Sequence, residues 1–397
     1  MGPGRLCRTG VPFMTLSAPS QSPPKYRITF GDLRIGSSAR AYLQEALNRN
    51  WVSEGPNVRA FETGFAKHFG GRFAIATSSG TDAGIVAMQS LLEDADRSKN
   101  EVITPALSFV ASTNCILAAG LIPKFVDVEL STLNIDPEKI EAAITPRTRA
   151  IQVVHTMGKP CRMEPILEMA NRHGLPVVED CCEAHGATLK GQTLGTFGRM
   201  GLFSFYAAHI ICSGEGGMIL TNDPHQAQVC RSIRTHGRRD GQLYFHFDRV
   251  GFNAKMNDLE AALGREGLEQ FDQTFQTRRE HLTRLWDLLG DLEDRLLLFR
   301  DGPEEIICPH AVAVVLKDPN ASMKGLYQFL ESRGIQCKTL FGSLPTQHQA
   351  FAFLGYKTGE FPVAERIGEA GLHFGVHQYL SEEDIDYISE TIHAYFR

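Results

Sequence analysis

The sequence predicts an α/β protein, with a mostly parallel central sheet flanked by helices and a smaller α+β domain at the C-terminal end. Three observations predict it. Between residues 72 and 221, short runs rich in Val, Ile, Phe and Ala alternate with helical patterns, as βα units stacked into a parallel sheet do. The chain has 397 residues, 43% of them hydrophobic and 22% charged, which is too long for one small core and ordinary for a globular protein. Near residue 300 the alternation gives way to a strand, a helix, a second strand and a closing helix. The expected division is a disordered tail over 1–25, a large domain over 26–270 and a small domain over 271–397.

Residues 1–25 are rich in Gly, Pro and Ser, contain no Asp or Glu, and lack the apolar core of a secretory signal. They read as an acid-poor transit peptide, or as the result of a start codon set upstream of the true start at Met14. A helix is expected over 38–50, with Leu43 and Leu47 four apart. A second follows Pro56, with Val58, Phe61, Phe65 and Phe69 on one face. Residues 51–56 between them form a turn, either a plain connector or a loop at the mouth of a site.

Strands are expected at 73–77, 102–104, 124–128, 150–155, 176–180, 201–206 and 218–221, with helices opening at Thr81 and covering 109–119. In such sheets ligands bind at the carboxyl ends of the strands. Helices continue through 224–235, 256–271 and 272–289, the second supported at its amino end by Asn257, Asp258 and Glu260. The small domain then reads as strand 311–316, helix 323–333, strand 336–340 and helix 382–396.

Composition excludes several functions. A net charge of −6 without a long Lys/Arg run is not the footprint of a nucleic-acid binder. Nine scattered cysteines, odd in number and without a C-x-x-C pair, argue against a disulfide framework and a thiolate metal cluster, and for a reduced, cytoplasmic setting. No apolar run approaches the ~20 residues of a membrane span.

Three stretches carry chemistry. Residues 203–217 run an apolar strand into a glycine-dense turn, which can hold His209 beside a ligand or simply bury it as a structural histidine. Residues 78–83, Ser-Ser-Gly-Thr-Asp-Ala, open a helix as a phosphate cradle or as a plain cap. Asp180 ends an apolar strand, where it can cap a following helix or keep a pyridine nitrogen protonated and so turn the ring into an electron sink.

Together with residues 51–56, 104–111, 125–128, 177–186 and 251–262, these motifs, in this order, resemble the DegT/DnrJ/EryC1/StrS family of sugar aminotransferases and dehydratases, pyridoxal-phosphate enzymes of fold type I. The resemblance spans residues 27–397. It implies that Gly80, Thr81 and Ser204 bind the cofactor phosphate, that Phe109 stacks on the ring, and that Asp180 pairs with the pyridine nitrogen. Glu183 stands where aminotransferases usually carry a Gln beside the ring hydroxyl. Asn253 matches an amide that reaches the neighbouring subunit's phosphate, which implies a homodimer with shared sites.

His209 is the departure, because the aminotransferases have a lysine there that joins the cofactor covalently. Imidazole cannot do this, so the cofactor is expected to bind noncovalently as pyridoxal or pyridoxamine 5′-phosphate, with His209 free as a base. The segment Phe203–Ser204–Phe205–Tyr206 with His209, and the stretches 155–161 and 374–377, resemble the 3-dehydratase branch acting on nucleotide-activated 4-keto-6-deoxyhexoses. Its iron–sulfur subset has a Cys-rich insertion that is missing after Arg234, so no metal is expected. Departures are Ile210 where that branch has a second His, and Gln347-His348 where it has Arg-Gln. The expected activity is a lyase reaction on a GDP-4-keto-6-deoxymannose-like substrate in deoxysugar and polysaccharide biosynthesis, with glutamate as amino donor. Rival readings are an ordinary sugar aminotransferase and an inert or regulatory homologue.

Overall fold

A computed structural model describes residues 26–397 apart from 94, 95, 240, 242, 319, 342 and 343. The expected tail over 1–25 lies outside the described residues. Seven strands form the central sheet: β1 (Phe73–Thr77), β2 (Glu101–Pro105), β3 (Ile122–Val126), β4 (Thr148–Val154), β5 (Val177–Asp180), β6 (Met200–Ser204) and β7 (Gly217–Thr221). Their order is β1-β7-β6-β5-β4-β2-β3. β7 runs antiparallel to both neighbours and the remaining pairs are parallel, so β1 to β6 all point their carboxyl ends to one edge.

Helices cover both faces. On one side α2 (Pro56–Phe69) places Phe61, Phe65 and Phe69 four residues apart. These rings pack on the strand leading to His209, with centroids 5.0 Å apart for Phe65 and Phe203 and 4.9 Å for Phe61 and Phe205. On the other side α3 (Gly80–Ser90) and α4 (Val110–Ala118) bury Val86, Ala87, Cys115 and Ile116 against Ile75, Val178 and Leu202. Burial of aliphatic and aromatic area of this kind contributes about 25 cal/mol per Å².

Two strands stop two residues short of expectation. β3 stops at Val126, because Asp127 turns aside to accept from the Val363 and Ala364 amides of the small domain. β6 stops at Ser204, because the next backbone bonds go into the turn: Phe205 N–H donates to Gly216 and Tyr206 bridges to Gly214.

The small domain holds an antiparallel sheet of β8 (Leu296–Leu298), β9 (Ala311–Leu316), β10 (Cys337–Thr339) and β11 (Gly371–Gly375), in the order β8-β9-β11-β10. The closing helix Glu382–Phe396 and the long helix Phe271–Leu288 cover it, with Leu282, Leu285, Ile385 and Ile388 fully buried. Ile28 joins the same core and bridges to Ile335, so the chain's first described residues are laid on the small sheet before entering the large one. Residue 270 falls between the helices Asp258–Glu269 and Phe271–Leu288. The first of these opens on Asn257 with a reciprocal Asn257–Glu260 capping box, as its acidic start suggested. Among the described residues no helix is long and apolar enough to cross a membrane.

Candidate active site

The carboxyl ends of β1, β5 and β6 share one edge of the sheet, with β7 between β1 and β6, and most of the sequence-predicted residues lie there in three groups. The first sits where β1 turns into α3. Ser79 Oγ accepts from the Asp82 amide at 3.0 Å, and Ser78 Oγ donates to Asp82 Oδ2 at 2.6 Å. That cap leaves the Gly80 and Thr81 amides of the first turn to a ligand or water, at the positive end of an eleven-residue helix. A Cβ at Gly80 would lie 2.6 Å from Ser204 Cβ, so only glycine lets this turn close on Ser204. The plain cap is therefore present, formed by Ser79, and Gly80 lies against Ser204 beside it.

The second group surrounds Asp180, which is 9% exposed. Its Oδ2 accepts from Ser112 Oγ at 2.7 Å and its Oδ1 from the Cys182 amide at 3.2 Å. No helix follows Asp180, which removes the reading of it as a helix cap; the next residues form turns. Ser112 lies in the first turn of α4, whose N-cap is Phe109. Phe109 is 62% exposed, a large aromatic ring held at the surface of the site. A carboxylate tethered at a strand end beside an open aromatic face fits a pyridine ring whose nitrogen needs a negative partner.

The third group is titratable. Glu183 Oε2 accepts from the Met157 amide at 2.7 Å, and burial nevertheless raises its pKa to about 7. Its Oε1 lies 3.9 Å from His310 Nε2. The His310 ring faces His209 at 5.2 Å between centroids, and His185 faces His209 at 5.8 Å. His209 is carried on a turn in which its amide donates to the Tyr206 carbonyl at 2.9 Å. Gly214 (φ +87°) and Gly216 (φ +153°) then return the chain to β7. The His209 Nδ1 is buried without a hydrogen-bond partner among the described residues. Burial lowers the His209 pKa to about 3, with the charges of Arg278 and Lys338 adding to the effect, so the imidazole is neutral near pH 7.

Asn253 stands apart from these groups. It is exposed, and its amide oxygen accepts from Lys255 Nζ at 2.5 Å. Sequence reasoning also missed Ser112, His185, His310 and the Met157 amide. His185 lies within a stretch that was read for Asp180. His310 carried no signal, because its partners are 101 and 127 positions away in the chain. A further buried trio, His155, Glu179 and Cys181, brings its ligand atoms within 4.8 Å of one another. The Glu179 oxygens there already accept from His155 and from the Gly195, Phe197 and Gly198 amides, so the trio ties down the turn before β6.

The model of the DegT/DnrJ/EryC1/StrS aminotransferase family matches residues 34–393. A dTDP-4-dehydro-2,6-dideoxy-D-glucose 3-dehydratase of Saccharopolyspora spinosa is 35% identical over 390 residues, covering 89% of this chain and 83% of the relative. A GDP-perosamine synthase of Caulobacter vibrioides is also 35% identical, over 91% of this chain and 96% of its own. The Escherichia coli GDP-4-keto-6-deoxy-D-mannose-3-dehydratase with bound hydrated pyridoxal phosphate superposes with a TM-score of 0.85 at 27% identity, covering 92% of this chain and 99% of the other. With the family motif matched from the helix before the sheet to the closing helix, and with the fold shared, the chain belongs to the DegT/DnrJ/EryC1/StrS aminotransferase family of pyridoxal-phosphate-dependent fold type I proteins.

Proposed function

We propose that this protein is a 3-dehydratase of a nucleotide-activated 4-keto-6-deoxyhexose, with His209 as its base. The cofactor is pyridoxal 5′-phosphate, alternating with its pyridoxamine form. Bound in the site, it supplies an amine to meet the substrate ketone and a pyridinium ring that withdraws electrons from the adjoining carbons. The residues of the chain then have separate tasks. Gly80, Thr81 and Ser204 hold the phosphate, Phe109 covers one face of the ring, and Asp180, oriented by Ser112, keeps the ring nitrogen protonated. Glu183 would face the ring hydroxyl; with its pKa raised to about 7 it is partly protonated and could donate as the usual Gln does.

The observation that carries the reading is His209: a neutral imidazole, free at Nδ1, in the position where a transaminating relative needs lysine. A neutral imidazole takes a proton from the carbon bearing the cofactor amine. The protonated ring would then pass that proton to the departing hydroxyl at carbon 3, which leaves as water. Hydrolysis would then free the deoxygenated ketone and ammonia, and glutamate, becoming 2-oxoglutarate, would restore the amine form of the cofactor.

A homodimer completes this site. Asn253 is exposed rather than turned into its own site, and the preceding segment holds out Leu243, Tyr244, Phe245, Phe247 and Val250, the first two 90% and 81% exposed. Apolar side chains displayed in this way suit an interface. Transamination is the second reading, supported by the similarity to GDP-perosamine synthase; the missing lysine tells against it. Incubation with GDP-4-keto-6-deoxymannose, pyridoxal phosphate and glutamate, followed by mass analysis of the sugar, separates the two. Dehydration yields a product lighter by one oxygen atom, whereas transamination replaces the ketone oxygen by an amino group. Absence of the deoxygenated sugar refutes the dehydratase reading.

A further inference from the structure

Lys338 projects from β10 of the small sheet, in register with His373 on β11. Its Nζ lies 4.3 Å from the centroid of the Phe30 ring. Phe30 is itself fixed: its amide donates to Gln336 Oε1 at 2.8 Å, and its ring meets His373 and His310 edge-on at 5.1 and 6.1 Å. The next residue, Gly31, packs on Ala208, the neighbour of His209; a Cβ there would lie 3.2 Å from Ala208 Cα. Lys338 therefore stands one aromatic ring away from the His310, His209 and Glu183 group, at the edge where the small domain and the N-terminal segment close over the site.

No hydrogen bond or ion pair joins Lys338 to another side chain among the described residues. Its field nevertheless reaches inward, where it disfavours protonation of His209 and His373. Desolvation lowers its own pKa from the usual lysine value, with Glu183 opposing. Lys338 is exposed, so its ammonium rests on the Phe30 face and stays accessible to a ligand. Other cations nearby are engaged: Arg34 pairs with Asp32 and lies over Tyr379, while Arg278 is buried with its Nε on Gln378.

We propose that Lys338 is the substrate-anion receptor of the site, recognising the diphosphate that links nucleotide and sugar. The inference rests on the nucleotide-sugar reading above and deepens it. The cofactor phosphate belongs to the opposite end, at Gly80 and Ser204, so the charge at Lys338 answers to a second anion. Phe30 and His310 set that charge back from His209, as a group that holds the diphosphate while the sugar ring reaches the base. An ammonium pairing with phosphate oxygens forms charge-assisted hydrogen bonds, about twice as strong as neutral ones.

The test is calorimetric binding of GDP and dTDP, and of guanosine and thymidine, to the pyridoxamine-phosphate-loaded protein and to its Lys338→Met and Lys338→Arg variants. Expected is a loss of diphosphate affinity of roughly 10-fold or more in Lys338→Met, recovered in Lys338→Arg, with nucleoside affinity unchanged. Diphosphate affinity equal in parent and Lys338→Met overturns the role of Lys338 and leaves the nucleotide-sugar reading standing. A parent that binds neither diphosphate overturns both. Should Lys338→Met fail to fold, acetylation of the unaltered protein gives the same decision by mass mapping: GDP or dTDP protects Lys338 if the assignment holds, and equal labelling with and without them refutes it.

Discussion

His209 and His310 face each other with ring centroids 5.2 Å apart and planes 37° from parallel, although one lies in the turn after β6 and the other immediately precedes β9 in the small domain. His310 in turn lies 3.9 Å from Glu183 on the turn after β5. Two domains thus share one titratable group, and burial keeps both rings neutral near pH 7.

That neutrality has a consequence for stability. His209 and His373 have pKa values lowered to about 3, and His377 to about 4, against an ordinary 6.5 in the unfolded chain. The unfolded state therefore binds more protons below pH 6.5, and stability present above that value is lost as pH falls toward the folded values. Each such histidine contributes a slope of about 1.4 kcal/mol per pH unit in that window. Glu183 acts oppositely, since its pKa is raised to about 7 and its contribution weakens as pH rises from 4.5. The histidines outnumber it, so urea midpoints are expected to be level above about pH 7 and to fall steadily below 6.5. A midpoint that stays flat down to about pH 5 would contradict the burial of neutral imidazoles.

Ser112 orients Asp180 through a 2.7 Å hydrogen bond to a carboxylate that is nearly inaccessible. Ser112→Ala is expected to cost about 1–3 kcal/mol of stability, the usual cost of leaving a buried acceptor short of a donor. It should also weaken pyridoxal phosphate binding, because the carboxylate loses the partner that sets its direction. Fluorescence titration with the cofactor and urea unfolding measure the two effects; affinity and stability both at the parent level would remove Ser112 from the site.

Much of this was legible before any coordinates. The sheet strands announced themselves because each is a short apolar run between turn residues, and β4 is buried at every position. Gly80, Asp180, Ser204 and His209 were visible because each sits at a strand end within a local motif. What escaped was the part assembled from a distance. Ser112 is an ordinary hydroxyl on a helix until α4 packs beside β5, and His310 is one histidine in a Pro-His-Ala sequence until the small sheet docks. The fate of Asp127 was hidden in the same way, since the residues that shorten β3 are more than 230 positions away.

The shared-site proposal can be tested by complementation. If Asn253 completes the neighbour's site, a heterodimer of Asn253→Ala and His209→Ala subunits holds one site with both residues intact and one with neither. Mixing equal amounts of the two inactive variants under full subunit exchange should restore about a quarter of the parent activity, since about half the dimers are then heterodimers with one intact site of two. Failure to complement while heterodimers form, shown by native mass spectrometry, would place Asn253 outside the site.

The most direct test concerns His209 itself, through two substitutions that fill similar space with different chemistry. Asn is polar but cannot accept a proton at neutral pH, so His209→Asn should retain cofactor and nucleotide binding while losing dehydration by about 100-fold or more, the usual scale for a positioned base. Lys can bond covalently to the cofactor aldehyde, so His209→Lys should gain an absorbance band to the red of the free cofactor, and borohydride should fix the cofactor to that lysine. The parent protein, offered the same reagent and then dialysed, should keep none. In the sugar assay His209→Lys should shift the product from the deoxygenated ketone toward the amine, because a lysine that holds the cofactor can return a proton to carbon 4 instead of driving out the hydroxyl. A stable adduct on the parent, or undiminished dehydration by His209→Asn, would show that the proton is carried by another group.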